Sequence, residues 1–141
     1  MSNNIILMPL FGQVFLTLVV WVVMYKARLD EIKEKRIHPQ KLANASDTQI
    51  LLVDSIRSAN NFNNLFQVPI LFYILSIVIY ITQTGDNILL GVLTAFVISR
   101  YIHSYIQVTK NIVMNRFAVY AVGSAIMWAG WIILGSRLFL N

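Results

Sequence analysis

Apolar residues gather into four long runs, roughly 5–25, 62–82, 87–108 and 117–136, separated by polar stretches. Each approaches the ~20 residues that a helix needs to cross the hydrocarbon core of a bilayer. The pattern therefore predicts four membrane-spanning helices. One long connector separates the first run from the second. Its opening, "KARLDEIKEKR", interleaves charges of both signs and predicts an exposed helical extension of the first span, ended by Pro39. "ANASDTQILLVDSIRSANN" then reads as a helix start, with Ser46 or Asp47 at the N-cap and apolar residues at 50–53 and 56. The second helix is thus expected to begin before the membrane, and Pro69 to bend it within.

Polar residues inside the runs are not scattered. Arg57, Asn60, Asn64 and Gln67 follow spacings of 3, 4 and 3, which predict one helix face, with Asn61 beside it. In the third run Arg100, His103 and Gln107 repeat the pattern, with Tyr105 nearby, and Asn115, Arg116 and Tyr120 open the fourth. Because successive spans reverse direction, all three polar sets fall at one depth. The opposite halves, such as "ILFYILSIVIYI" and "AIMWAGWIILG", are almost wholly apolar. Unpaired amides and guanidinium groups in hydrocarbon cost several kcal/mol, so these faces must meet each other, a ligand or headgroups. One reading is an interhelical hydrogen-bond network. The other is a cavity rich in donors and positive charge, without an internal acid, suited to an anionic ligand that accepts many hydrogen bonds.

Composition agrees with a membrane chain. Of 141 residues 57% are hydrophobic and 12% charged, with a mean hydropathy of +0.67; soluble domains carry about 25% charged residues. Four spans leave too little chain for a separate soluble core, so residues 1–141 are read as one integral domain, a four-helix bundle. The first run lacks a basic leader and a small-residue cleavage site, and is expected to be a retained span.

The net charge of +5 matters less than its placement. Lys26, Arg28, Lys33, Lys35, Arg36, Lys41 and Arg57 lie between the first and second spans, and Lys110 and Arg116 between the third and fourth. "TQTGDN" and the N-terminal "MSNN" carry no cation, and Arg137 is the one dissenter. The positive-inside rule then puts both basic loops in the cytoplasm and both termini outside. Contact with lipid headgroups explains the basic loop, and no nucleic-acid partner is expected. The chain has no cysteine, so neither a thiol nucleophile nor a cysteine metal cluster is available. Neither His38 beside Pro39 nor His103 has the companions of a metal site.

"NNFNNLFQVPILFY" and "RYIHSYIQVTKNIVMNRFAVYAVG" resemble the signature segments of the MAPEG proteins, the membrane-associated proteins of eicosanoid and glutathione metabolism, and particularly their small bacterial members. The resemblance extends over the four spans, the basic first loop and the spacing of Arg100, His103 and Arg116. It implies a homotrimer of four-helix subunits in a bacterial inner membrane, with glutathione held between subunits toward the cytoplasm. It implies that Arg57, Asn61 or Asn63, and Arg100 contact the tripeptide, and that Arg116 stabilises its thiolate. Gln67 stands where many relatives carry a glutamate, and Phe117 where some carry a serine.

Two classes of function follow. The first is an enzyme that uses glutathione to conjugate or reduce hydrophobic electrophiles or peroxides, with Arg116 catalytic and Arg57, Asn60, Asn61, Asn63, Asn64, Gln67, Arg100, His103, Tyr105 and Tyr120 binding the tripeptide. The second is a non-catalytic oligomeric membrane protein whose polar face binds another anionic solute or lipid, or serves only as interhelical glue.

Overall fold

The computed structural model describes residues 3–140; Met1 and Ser2, which the charge reading includes, and Asn141 lie outside them. A short 3-10 stretch, Asn3–Leu7, leads into α1 (Met8–Glu34), with Pro9 in the first turn, where its missing N–H leaves no gap in the ladder. A second 3-10 stretch, Pro39–Leu42, precedes α2 (Ala45–Leu51), α3 (Ile56–Asn64), α4 (Val68–Thr82), α5 (Asn87–Val108) and α6 (Val113–Phe139). Among the described residues four segments are long and apolar enough to cross a membrane: Asn4–Glu34, Ile56–Thr82, Asn87–Val108 and Val113–Phe139. The all-helical architecture with four candidate spans matches the apolar pattern, and the third span coincides with its run.

The second span departs from the single bent helix expected. Its membrane half, α4, is separated from α3 by a turn at Leu65–Gln67, where Gln67 has φ −102° and ψ −105°. Continuing α3 would drive the ring of Pro69 into the carbonyl four residues back, at Leu65. The chain breaks ahead of the proline instead of bending at it. Gln67 consequently leaves the helix that carries Arg57, Asn60 and Asn64.

A second break divides the expected helix start. α2 ends at Leu51, and Asn44, not Ser46 or Asp47, occupies its N-cap. The cause lies in α1. Glu31 is buried and accepts the backbone N–H groups of Asp54 at 2.9 Å and Ser55 at 2.8 Å. Those are the donors that would have continued α2, so the carboxylate ends that helix and anchors the two residues just ahead of the next. Lys35 pairs with Glu31 and with Asp54 at 2.8 Å. Ion pairing to Asp54, then to Glu31, raises the Lys35 pKa.

Packing differs between the two halves of the bundle. Ile6, Phe72, Leu75, Ile79, Leu89, Leu93, Phe96, Met127 and Leu134 form one apolar cluster, with Phe72 stacked on Phe96 at 4.9 Å between centroids. In the other half the buried side chains include Asn61, Ser99, Arg100, His103, Ser104 and Gln107. Between membrane helices, where lipid competes for apolar contact, close approach matters more than burial from water. Gly123 and Gly130 supply it on α6. A Cβ on Gly123 would collide with Ser99 Oγ, and one on Gly130 would come within 2.9 Å of Leu75 Cδ2. Large apolar residues such as Phe11, Phe15, Leu18 and Ile132 point outward, as a lipid-facing surface requires.

Candidate functional site

Where α3 ends and α5 meets α6, a cavity of about 240 Å³ is lined by Asn64, Gln67, His103, Val113, Arg116, Phe117 and Tyr120. Three elements converge because of three local features. The break before Pro69 takes Gln67 off the face of α3 and leaves it, still exposed, lining this cavity. The spacing of Arg100, His103 and Gln107 keeps them on one buried stripe of α5. The tight link between α5 and α6 brings Arg116 back over that stripe.

Within that link Asn111 holds a left-handed backbone, φ 48°, which Asn tolerates better than most residues. Its N–H bonds to the Ile106 carbonyl at 2.8 Å, and its side-chain oxygen accepts from Arg116 Nη1 at 2.8 Å. The guanidinium is thereby oriented over the cavity. On the opposite wall Asn64 donates its amide N–H to Gln107 Oε1 at 3.0 Å, tying α3 to α5.

Behind this surface Arg100 is 1% exposed, and its Nε and Nη2 have no hydrogen-bond partner. Its guanidinium lies 5.2 Å from the Tyr120 ring centroid and 5.6 Å from that of Phe96, so aromatic faces are its contacts. His103, also buried, has its ring 6.0 Å from Tyr120. No ion pair joins Arg100 or Arg116 to an acid among the described residues: Glu31 and Asp54 engage Lys35, and Asp86 engages Arg137. Arg100 and His103 thus lie against Tyr120, and Arg116 shares its cavity, without a protein counter-charge.

Of the residues the sequence singles out, the structure brings Asn64, Gln67, His103, Arg116 and Tyr120 to this cavity, with Arg100 behind Tyr120. Arg57, Asn60 and Asn63 are exposed on α3 and do not line it. Asn61 and Tyr105 line a different cavity, between α1, α3 and α5. Sequence reasoning missed Asn111, whose signal was an Asn in a short helix link five residues before Arg116. It also missed Glu31, which looks like one of several solvated charges in "KARLDEIKEKR". No group of His, Cys, Asp and Glu fit to hold a metal occurs among the described residues.

The model of the MAPEG family matches residues 6–136 of the chain. No curated protein and no solved structure matches it.

Proposed function

The chain belongs to the MAPEG family, and from that premise we propose that it binds glutathione at the Arg116 cavity and uses it to conjugate or reduce hydrophobic electrophiles or peroxides. The observation that carries this reading is the pair of guanidiniums, Arg116 lining the cavity with Tyr120 and Arg100 behind that ring, with no acid to balance them. A buried cation left uncompensated is costly, and a tripeptide with two carboxylates supplies the missing charge. Gln67 and Asn64 offer neutral hydrogen bonds on the facing wall.

Arg116 is the residue assigned to the thiol. A thiol of pKa ~8.5 is mostly protonated at neutral pH, and a fixed cation lowers that value and enlarges the thiolate fraction. The thiolate then attacks an electrophilic carbon; a C–S bond forms and the leaving group departs with its electron pair. With a peroxide it attacks the outer oxygen, the O–O bond breaks, and the alkoxide takes a proton from solvent. A second glutathione converts the resulting sulfenic acid to glutathione disulfide and water. Asn111 positions Arg116 for this step.

In this reading the protein is a homotrimer in a bacterial inner membrane. Both termini lie outside, a neighbouring subunit completes the cavity wall, and lipids and the hydrophobic substrate approach from the side. The Asn64–Gln107 bond favours a structural share for those two amides, as interhelical glue within the subunit.

The test is thermal unfolding of the detergent-purified protein across a glutathione titration, paired with turnover of a chloronitroaromatic and of an organic hydroperoxide. Ligand binding to the native state alone stabilises by about 2.7 kcal/mol at a hundredfold excess over Kd. Glutathione is expected to give a saturable shift, and Arg116→Ala to lower turnover by at least ~10²-fold, as loss of one transition-state charge contact does elsewhere. Absence of any shift at millimolar glutathione, with the folded oligomer present, would reject the proposal.

A further inference from the structure

The Arg116 cavity presents a ligand with positive charge and neutral dipoles only. Arg116 and His103 line it together with the amides of Asn64 and Gln67, and Arg100 stands behind Tyr120. Arg116 is half-buried and Gln67 exposed, so both meet whatever enters. Asn64 has committed an N–H to Gln107 Oε1 at 3.0 Å, which leaves its own carbonyl oxygen as an acceptor.

The six carboxylate side chains of the chain all lie elsewhere. α5 ends at Val108, which lines a cavity with Val23 of α1. Asp30 stands about two turns, ~10 Å, farther out along α1, and Glu34 another turn beyond. Glu31 and Asp54 are held at that outer level by Lys35. The helix that carries Asp47, α2, ends there too, its Leu51 carbonyl 3.5 Å from Lys35 Nζ. Asp86 caps the opposite end of α5 and pairs with Arg137. A second copy of the chain does not change this. Subunits related by rotation about the membrane normal keep every residue at its own depth, so a neighbour's carboxylates stay as far from the level of the cavity as the subunit's own.

We infer that the site holds its thiol ligand by the carboxylates alone, so that its substrate class is anionic thiols in which an α-ammonium is dispensable and unfavourable, with Gln67 setting that preference. The preference presupposes the glutathione reading of the cavity and narrows it. Glutathione carries two carboxylates and one ammonium. The carboxylates meet guanidiniums, whereas the ammonium meets only amide oxygens, close to two like charges, and sheds water without a counter-charge. A thiol with the same carboxylates and no ammonium escapes that cost and brings a larger net negative charge to the two cations. Gln67 sets the preference because it is the exposed amide of the wall; a carboxylate in its place would be the first at this level.

The experiment is isothermal titration calorimetry of the purified oligomer in a neutral maltoside detergent at neutral pH, with glutathione and with glutaryl-cysteinylglycine, which replaces the α-ammonium by hydrogen and adds no bulk. The deaminated thiol is expected to bind about threefold or more tighter. Gln67→Glu should strengthen glutathione and weaken the deaminated thiol, moving the ratio of the two dissociation constants about fivefold or more toward glutathione. Gln67→Lys should move the ratio the other way, and keeps the test decisive if Gln67→Glu does not fold. A purely structural Gln67 would lower both affinities together and leave the ratio unmoved. Glutathione binding as tightly as the deaminated thiol or more so, or a ratio unmoved in a folded variant, would overturn the preference and leave the glutathione reading standing. Binding of neither thiol would overturn both.

Discussion

Glu31 is the one acid among the buried polar side chains of the described residues. Its position follows from what it accepts: two backbone N–H groups at the junction of α2 and α3, and the ammonium of Lys35. A buried carboxylate costs several kcal/mol in desolvation, recovered only while every partner stays in place. Substitution by alanine leaves the Asp54 and Ser55 N–H groups and Lys35 without that acceptor. We expect Glu31→Ala to destabilise the protein by about 3 kcal/mol. Glu31→Gln, which retains one acceptor oxygen, should lose less. Denaturant or thermal unfolding of the three proteins in one detergent checks the order. Equal stability of wild type and Glu31→Ala would mean that the junction is held by apolar packing alone. Asn111 acts by the same logic at the other polar link, where a short side chain in a left-handed turn fixes the direction of an arginine.

Helix ends decide how the four spans are joined. Asp86 caps α5 by accepting the Leu89 N–H at 2.9 Å, and pairs with Arg137 near the end of α6 at 2.7 Å, so one carboxylate closes two helices. The hydrogen bond from Arg137 outweighs partial burial and holds the Asp86 carboxyl below its usual range. A depressed folded-state pKa contributes stability that is present above the unfolded value, ~3.9, and is lost as pH falls through the folded one. Asp86→Ala should cost about 1 kcal/mol from the cap. Asp86→Asn, which can still cap, should lose only the half-exposed ion pair, a few tenths of a kcal/mol. The gap in unfolding temperature between wild type and Asp86→Asn, present at pH 6, should close as pH is lowered below ~4; a gap that stays constant would show that the pair adds nothing.

At this same scale the four spans were legible in the sequence, because twenty apolar residues in a row have few alternatives to a membrane helix. The stripe at 100, 103 and 107 was legible because α5 is regular. The division of residues 45–82 into three helices was not, because one break depends on a carboxylate 24 residues away from Ser55 and the other on a proline whose effect falls upstream of it. The direction of Asn61 was hidden for a related reason. Spacing places it beside Asn60, but packing against α1 decides which of two adjacent amides is buried.

For the whole molecule, the distribution of charge and the distribution of polarity select the same end. The apolar cluster of Phe72, Leu75, Ile79, Leu89, Leu93 and Leu134 fills one half of the bundle, and the guanidiniums, amides and imidazole fill the other. Every lysine and arginine other than Arg100 and Arg137 sits in the connectors or helix ends on that polar side. Arg137, the exception in the charge pattern, is neutralised by Asp86 and also donates to the Thr84 carbonyl at 3.3 Å. It therefore gives little weight to the opposite orientation. If the positive-inside rule holds, the Arg116 cavity opens toward the cytoplasm and the Thr82–Asn87 link faces outward. The absence of cysteine makes this directly measurable. Single replacements Ser46→Cys, Gly85→Cys and Lys110→Cys, treated in spheroplasts with a membrane-impermeant maleimide, should label only at position 85, with positions 46 and 110 reacting after lysis. Labelling of 46 and 110 in intact spheroplasts, with 85 protected, would invert the topology and turn the cationic cavity outward, away from a cytoplasmic thiol supply.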